Sequence, residues 1–360
     1  MKQKIALVEP FLTGSHQQWA EGFKKYSDHS IDIYGLPGRF WKWRMHGGAI
    51  SLAQKILVSK NKYDVFLCSD FLNLALFKAL LAPHYPKAKY YLYFHENQIC
   101  YPWSPTDQDI ALKRDRHYGF INYTSALIAD KVFFNSDFHR QIFLDALPQF
   151  LGQFPDKNGL ENIQIIEHKS QTLPLAIELP TLNPNIKKIH QSILWNHRWE
   201  YDKNPETFFQ ILKNIQDQDI PFQLIILGEK AQKYPSVFDG AQEQFSKELL
   251  HLGYTSSKQD YWHWLQKAAI LPVTSNQDFF GISVVEAMHA NVYPLLPNRL
   301  AFPAHIPKEH HQTHLYDTPL DLETKLLHLL TEKPIPQIFS SWSGKYSWER
   351  RIEQYDRIIG

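Results

Sequence analysis

Two runs of strand–helix alternation, separated by a single break, constrain this chain more than any one motif. In the first run, the short apolar segments KIALVEP, IDIYGLP, YDVFLCS, KYYLYFHE, KVFFNS and IQIIEH recur between polar-apolar stretches such as QQWAEGFKKYS. In the second, SILWNHR, FQLIILGE, HLGY and AAILPVTS alternate with helical stretches such as PETFFQILKNIQ. Strands this apolar are buried on both faces, so the pattern predicts parallel sheets covered by helices. The break, ELPTLNPNIKKIHQ, has the Pro/Asn content of a linker. With 360 residues and 44% hydrophobic content, the chain can fill two separate cores. The expected class is therefore α/β, with two Rossmann-like domains facing each other across a cleft and the division at 182/183. Ligands of such folds bind outside the C-terminal ends of the strands.

Charge narrows the partners. Lys and Arg number 38 against 37 Asp and Glu, so no global basic field draws the chain to nucleic acid, and any such binding must come from a local patch. Two cysteines, Cys68 and Cys100, are too few for a disulfide framework and suit a reducing compartment. The apolar run in MKQKIALVEPFL is too short for a signal peptide, and no stretch approaches the length of a membrane span. These features predict a cytoplasmic protein.

Four strands run straight into loops rich in functional side chains, EPFLTGSH, LPGRFWKWR, FHENQ and WNHRWEYDK, and these should line the cleft. In WNHRWEYDKNP, Arg198 and Lys203 follow a strand and precede a helix that Pro205 helps to start. Two cations near a helix N-terminus make a pyrophosphate site. Farther on, TSNQDFFGISVVEAMHA places Gly281 before a helix carrying Glu286. The glycine lets backbone approach a ligand closely, and the carboxylate can take both hydroxyls of a ribose.

The first half offers a looser set. Gly14, Ser15 and His16 form the loop after the first strand, where Gly14 permits close approach to phosphate or sugar; a plain tight turn is the other reading. His95 and Glu96 end a buried strand, where His95 could bond a sugar hydroxyl and Glu96 orient or deprotonate an acceptor; otherwise Glu96 caps the next turn. Asn97 and Gln98 continue that loop on the acceptor side. Tyr118, Gly119 and Asn122 share a helix face suited to packing or to acceptor contact. Lys113, Arg114 and Arg116 make a phosphate patch or a solvated helix face. The segment RFWKWRMHGG joins two tryptophans to three strong cations with no acid nearby. Trp41 and Trp43 could stack on unpaired bases while Arg39, Lys42 and Arg44 meet phosphates. Packing under the loop, or insertion into a membrane interface, are the alternatives.

Two metal-like patterns are rejected. Asp107-Gln-Asp109 and Asp217-Gln-Asp219 imitate a DxD motif but sit in a Pro-rich loop and at a helix end. His310, His311 and His314 have ligand-like spacing on a helix, but no cysteine or carboxylate completes a tetrahedral set. No metal and no cofactor is expected.

Taken together, the pair Arg198-x4-Lys203 and the later Asp278-x7-Glu286 around FFG resemble the C-terminal domain of the GT-B retaining glycosyltransferases. The resemblance implies that Arg198 and Lys203 hold a donor diphosphate and Glu286 the ribose. It also implies that Asp278, with the neighbouring backbone of Phe279, Phe280, Gly281 and Ile282, holds the sugar, although Asp stands here where that family has Glu. The ending YSWERRIEQYDRII resembles the family's last helix, so residues 183–340 are expected to form the nucleotide-sugar domain and 341–360 to cross back to the acceptor domain, 1–182. More narrowly, EPFLTGSHQQW, LPGRFWKWR, YFHENQICYP, HYGFINYTSALIAD and NHRWEYDKNPETFF look like the tRNA-queuosine α-mannosyltransferases. That implies transfer of mannose from GDP-mannose, with retention, to the queuosine of a tRNA. The partners would be a nucleotide sugar and queuosine-containing tRNA, without stable membrane association. The alternatives are another sugar nucleotide or a lipid acceptor on the same fold, and a non-catalytic RNA-binding protein. A nicotinamide oxidoreductase is disfavoured because no G-x-G-x-x-G follows the first strand.

Overall fold

The computed structural model describes residues 2–104, 107–112, 116–230, 234–331 and 339–360. It divides into two compact units, residues 1–178 with 346–360, and residues 179–345.

Among the described residues of the first unit, β1 (Lys4–Leu12), β2 (Ser30–Pro37), β3 (Val65–Ser69), β4 (Lys89–Phe94), β5 (Lys131–Phe134) and β6 (Ser170–Thr172) form one sheet. All neighbours are parallel, in the order β2-β1-β3-β4-β5-β6. Its helices are α1 (Gly14–Tyr26), α2 (Trp41–Ser59), α3 (Leu74–Leu81), α4 (Gln108–Ala111), α5 (Arg116–Ile128), α6 (Asp137–Leu151) and α7 (Asn162–Lys169). Every position of β3 is buried, as expected for a strand covered on both faces. Strand order reverses between β1 and β3, so the loops after those strands flank the switch point where open α/β sheets take ligands.

Three local expectations are corrected. IQIIEH forms most of α7, and the strand comes directly after it as β6. Ile163 and Ile166 stand three residues apart, so one helix face carries both to the core while Gln164 and Glu167 face solvent. RFWKWR is not one loop. The backbone turns at residues 38–40 and α2 begins at Trp41, because Met45, Ala49, Leu52, Ala53 and Ile56 make a buried stripe at helical spacing. Gly14, Ser15 and His16 likewise form the first turn of α1 rather than a loop, with Gly14 at φ 51°.

In the second unit, β7 (Ser192–Trp195), β8 (Gln223–Ile226), β9 (Leu249–Leu252), β10 (Ile270–Pro272), β11 (Tyr293–Pro297) and β12 (Leu315–Tyr316) form a parallel sheet. Its order is β12-β11-β10-β7-β8-β9, the doubly wound arrangement with the switch between β7 and β10. The helices are α8 (Pro205–Gln216), α9 (Val237–Gln244), α10 (Lys258–Lys267), α11 (Ile282–His289), α12 (His311–His314), α13 (Pro319–Thr331) and α14 (Phe339–Ser343). Helix α8 starts where the sequence says it should: Pro205 is its first residue and the Asn204 side chain accepts the Thr207 N–H.

The final helix, α15 (Trp348–Ile359), packs in the first unit. The Trp348 ring lies so close to Gly22 of α1 that a Cβ there would fall 2.1 Å from the indole nitrogen. The Tyr355 hydroxyl donates to the Pro174 carbonyl and lies within 3.2 Å of Trp19 Nε1 and the Tyr93 hydroxyl.

Candidate active site

In the second unit the loops after β7 and β10 meet at the switch point. A 3-10 turn, Tyr201–Lys203, follows β7, and its carbonyls receive the second loop. Asn276 N–H donates to the Asp202 carbonyl, and the Thr274 hydroxyl to those of Lys203 and Asn204. Lys203 is nearly enclosed. Its ammonium donates to the Gln277 carbonyl (2.8 Å) and pairs with Asp278 (3.0 Å) and Asp202 (3.1 Å). Burial pulls that ammonium down, but Asp278 and Asp202 outweigh it and hold the group charged above the ordinary lysine range. Arg198 is half exposed and pairs with Glu200 at 3.1 Å. The two expected diphosphate cations are therefore unlike: one is fixed and buried, the other solvent-facing.

The second loop continues through the buried Phe279 and Phe280 to Gly281, at φ 87°, which caps α11. A Cβ on Gly281 would lie 3.0 Å from the Phe302 ring, so the glycine answers both the left-handed backbone and the close approach. Ile282 opens the helix and Glu286 lies on its second turn, with Oε2 accepting the Tyr261 hydroxyl at 2.8 Å. Burial pushes the Glu286 carboxyl up to about 7. His197 was not singled out in the sequence. Its Nδ1 is 2.8 Å from the Ser283 hydroxyl, and its Nε2 is buried without a hydrogen-bond partner among the described residues. Burial takes this imidazole down to about 4, so it is neutral. Asp202 is a plain acid beside a lysine in the sequence, whereas Tyr261 gives no signal there, since its contact with Glu286 exists only through the packing of α10 on α11.

In the first unit the corresponding edge carries Glu9, His16, Asp70 and His95. Glu9 is fully buried in the second half of β1 and accepts the Phe11 N–H (2.9 Å) and His16 Nδ1 (3.0 Å). Burial pulls the His16 imidazolium down, but Glu9, with Asp70 and Glu96 behind it, carries the group up to about 9. The His95 ring lies 4.2 Å from that of His16, centroid to centroid. Burial, with His16 and His139 adding to it, pushes His95 well below the histidine range. Two adjacent imidazoles thus hold opposite protonation states, the arrangement that separates a cationic donor from a neutral acceptor. Asp70 anchors the turn by accepting the His95 N–H at 2.9 Å. A carboxylate inside an otherwise apolar strand is the sequence signal for Glu9.

Other expected residues have structural work to do. Asn97 is fully buried and its Oδ1 accepts the N–H groups of Ile99 and Cys100, so it shapes the turn, while its Nδ2 is buried without a hydrogen-bond partner among the described residues. Gln98 donates to Glu96 (2.9 Å). Tyr118 is buried with its ring on Trp41 (5.1 Å). Lys42 is held between Asp107 (2.7 Å) and Asp109 (2.5 Å), so the DxD-like pair and the lysine engage one another. Lys113 and Arg114 lie outside the described residues. His314 is buried against the Pro294 carbonyl, and His311 faces the carbonyls of Pro303 and Ile306. Among the described residues, Glu9, His16 and His95 form the one cluster with ligand atoms all within 4.8 Å, but the Glu9–His16 hydrogen bond already uses two of those atoms.

Residues 4–177 match the family described as tRNA-queuosine alpha-mannosyltransferase N-terminal, and residues 184–341 match glycosyl transferases group 1. A Drosophila melanogaster tRNA-queuosine alpha-mannosyltransferase is 32% identical over 352 residues, covering 94% of this chain and 89% of that protein. The chain belongs to the tRNA-queuosine α-mannosyltransferase family. It is a glycosyltransferase. Solved structures place this family member's fold in the GT-B class. Sucrose-phosphate synthase from Thermosynechococcus elongatus superposes with TM-score 0.71 at 14% identity, over 99% of this chain and 98% of that one. The catalytic domain of starch synthase IV from Arabidopsis thaliana gives TM-score 0.71 at 12% identity, over 100% and 99%. No helix among the described residues is long and apolar enough to cross a membrane.

Proposed function

We propose that this chain transfers mannose from GDP-mannose, with retention, to the queuosine nucleoside at the wobble position of a tRNA. The observation that carries the reading is identity to the Drosophila tRNA-queuosine alpha-mannosyltransferase across both units. The second unit supports a nucleotide-sugar donor: a fixed ammonium, a solvent-facing guanidinium and a carboxylate surround one switch point. In this reading Arg198 and Lys203 stabilise the charge that develops on the departing diphosphate, the largest electrostatic demand of the reaction. Glu286 takes the ribose hydroxyls through the oxygen that Tyr261 leaves open. Asp278 keeps the Lys203 ammonium aimed, and the backbone from Phe279 to Ile282 is left for the sugar. The first unit supports the transferred sugar and the acceptor. His95 is neutral with Nε2 buried and unpartnered among the described residues, so it can accept from a hydroxyl, while His16 donates from a charged ring.

The test is incubation with GDP-mannose and queuosine-containing tRNA, followed by nucleoside mass spectrometry. A hexose added to queuosine is expected, with the α-anomer by NMR of the product. Transfer from UDP-glucose but not GDP-mannose would overturn the donor, and a labelled lipid without labelled tRNA would overturn the acceptor.

A further inference from the structure

The N-cap and first turn of α2 carry two aromatic rings that its packing on the core does not use. Phe40 and Trp43 are 70% and 63% exposed, whereas Trp41 is packed on Phe71 and Tyr118. They are two of several large apolar side chains exposed among the described residues, and what sets these two apart is that separate structural features hold them out.

Phe40 has left-handed backbone, φ 56° and ψ 50°, a conformation that costs any residue with a Cβ. It is locked there from both sides. The Arg39 N–H donates to the Pro37 carbonyl (2.8 Å), and the Phe40 carbonyl accepts the Arg44 N–H (3.0 Å). The preceding Gly38 is pressed on Thr13, where a Cβ would fall 2.1 Å from Cγ2. The Arg39 guanidinium sits 5.7 Å from the centre of the Phe40 ring.

Trp43 has its own seat. A Cβ on Gly47, one turn along, would fall 2.8 Å from Cζ2 and 2.9 Å from Cε2 of the indole. The ring therefore lies down across a glycine inside a helix, a position where glycine weakens the helix. An exposed indole fixed this way presents a flat face and loses little rotamer freedom when something stacks on it. Arg44 stands beside it with its guanidinium held on the Pro37 carbonyl at 3.2 Å.

We propose that Phe40 and Trp43 are preformed stacking surfaces for unpaired bases of an RNA, with Arg39 and Arg44 as their phosphate partners. This rests on the reading of the acceptor as a tRNA and names which residues of the segment meet it: the two exposed rings and the two arginines, not Trp41 or Lys42. Two separate rings flanked by guanidinium groups match a single strand, whose bases offer π-faces and whose backbone offers charge. They are too little apolar area to seat a helix in a membrane interface.

The decisive variants are those that relieve a local cost of the fold. Gly47→Ala improves helix propensity but pushes the indole off its seat, and Phe40→Gly removes both the ring and the penalty of the left-handed backbone. Both should melt at or above the parent temperature while the apparent KM for queuosine-containing tRNA rises. Trp43→Ala should raise it by about five-fold or more. Direct tRNA binding, followed by fluorescence anisotropy of end-labelled tRNA, should weaken in step, with the affinity for GDP unchanged. Parent-like tRNA binding in all three variants overturns the proposal. So does a loss of binding that only accompanies a lower melting temperature, which would mark the rings as packing. Trp43-dependent sedimentation with phosphatidylserine–phosphatidylcholine vesicles, without loss of tRNA binding, overturns it in favour of a membrane. Should the parent bind tRNA through Trp43 yet transfer no mannose, the proposed reaction falls and the stacking surface stands.

Discussion

Lys203 and Arg198 show how unlike two members of one motif can be. Arg198→Ala removes a half-exposed guanidinium, so transfer should fall by about a hundredfold or more while the melting temperature stays near the parent's. Lys203→Ala should cost at least as much activity, and stability as well, because it strands the fully buried Asp202 carboxylate without its counter-charge. Breaking a buried pair in this way typically costs about 3–5 kcal/mol. Paired kinetics and thermal melts check both, and equal melts for the two variants would contradict the buried trio. Glu286 adds a pH dependence. With its carboxyl raised to about 7, it is increasingly protonated below that pH, and in the proposed donor site it would then accept ribose hydroxyls less well. The Kd for GDP should therefore rise as pH falls through about 7, and Glu286→Gln should flatten the curve, both readable by calorimetry. His16 works in the opposite sense. Its folded value of about 9 lies above the ordinary 6.5, so the Glu9–His16 pair contributes stability that is full below about 6.5 and is lost as pH rises toward 9. Glu9→Gln should lower the melting temperature at pH 6 and much less at pH 10. A difference that does not change with pH would remove the charge pair from the account.

At the scale of elements, the alternation of apolar runs was legible because each buried strand must be apolar, whatever covers it. The failures share one cause. IQIIEH and RFWKWR were read from residue type, but whether Ile163 and Ile166 belong to a strand or to α7 depends on which face meets the core. Likewise, α2 starts at Trp41 because of the stripe below it, from Met45 to Ile56. Helix α15 offers a direct measurement. Trp348 is fully buried on Gly22, so Trp348→Ala should destabilise the first unit by about 3–5 kcal/mol and leave the second unit's affinity for GDP intact. Chemical denaturation and calorimetry test this together; a stability near the parent's would mean the ring is not the anchor its packing indicates.

Across the described residues, two of the metal-like sets are already engaged by side chains. Lys42 occupies the Asp107–Asp109 pair and a hydrogen bond occupies Glu9 with His16. Sugar transfer should therefore survive EDTA, and activity lost to the chelator and restored by magnesium would contradict that assignment. With 38 basic and 37 acidic residues, RNA affinity must also be local, carried by a patch and not by net charge.

The sequence by itself determined the α/β class and the two runs of the sheet pattern, because strands buried on both faces must be apolar, and it marked Arg198, Lys203 and Glu286 as candidates on the loop and helix that follow strands, with Asp278 added by the family resemblance. It could not determine what those side chains touch. That Lys203 is clasped by Asp278, that Tyr261 holds Glu286, that His16 is charged and His95 neutral, and that Trp43 lies exposed while Trp41 is packed were decided by the tertiary structure. Each depends on contacts between residues distant in the chain, and charge state, burial and hydrogen bonding are properties of such contacts rather than of any residue alone.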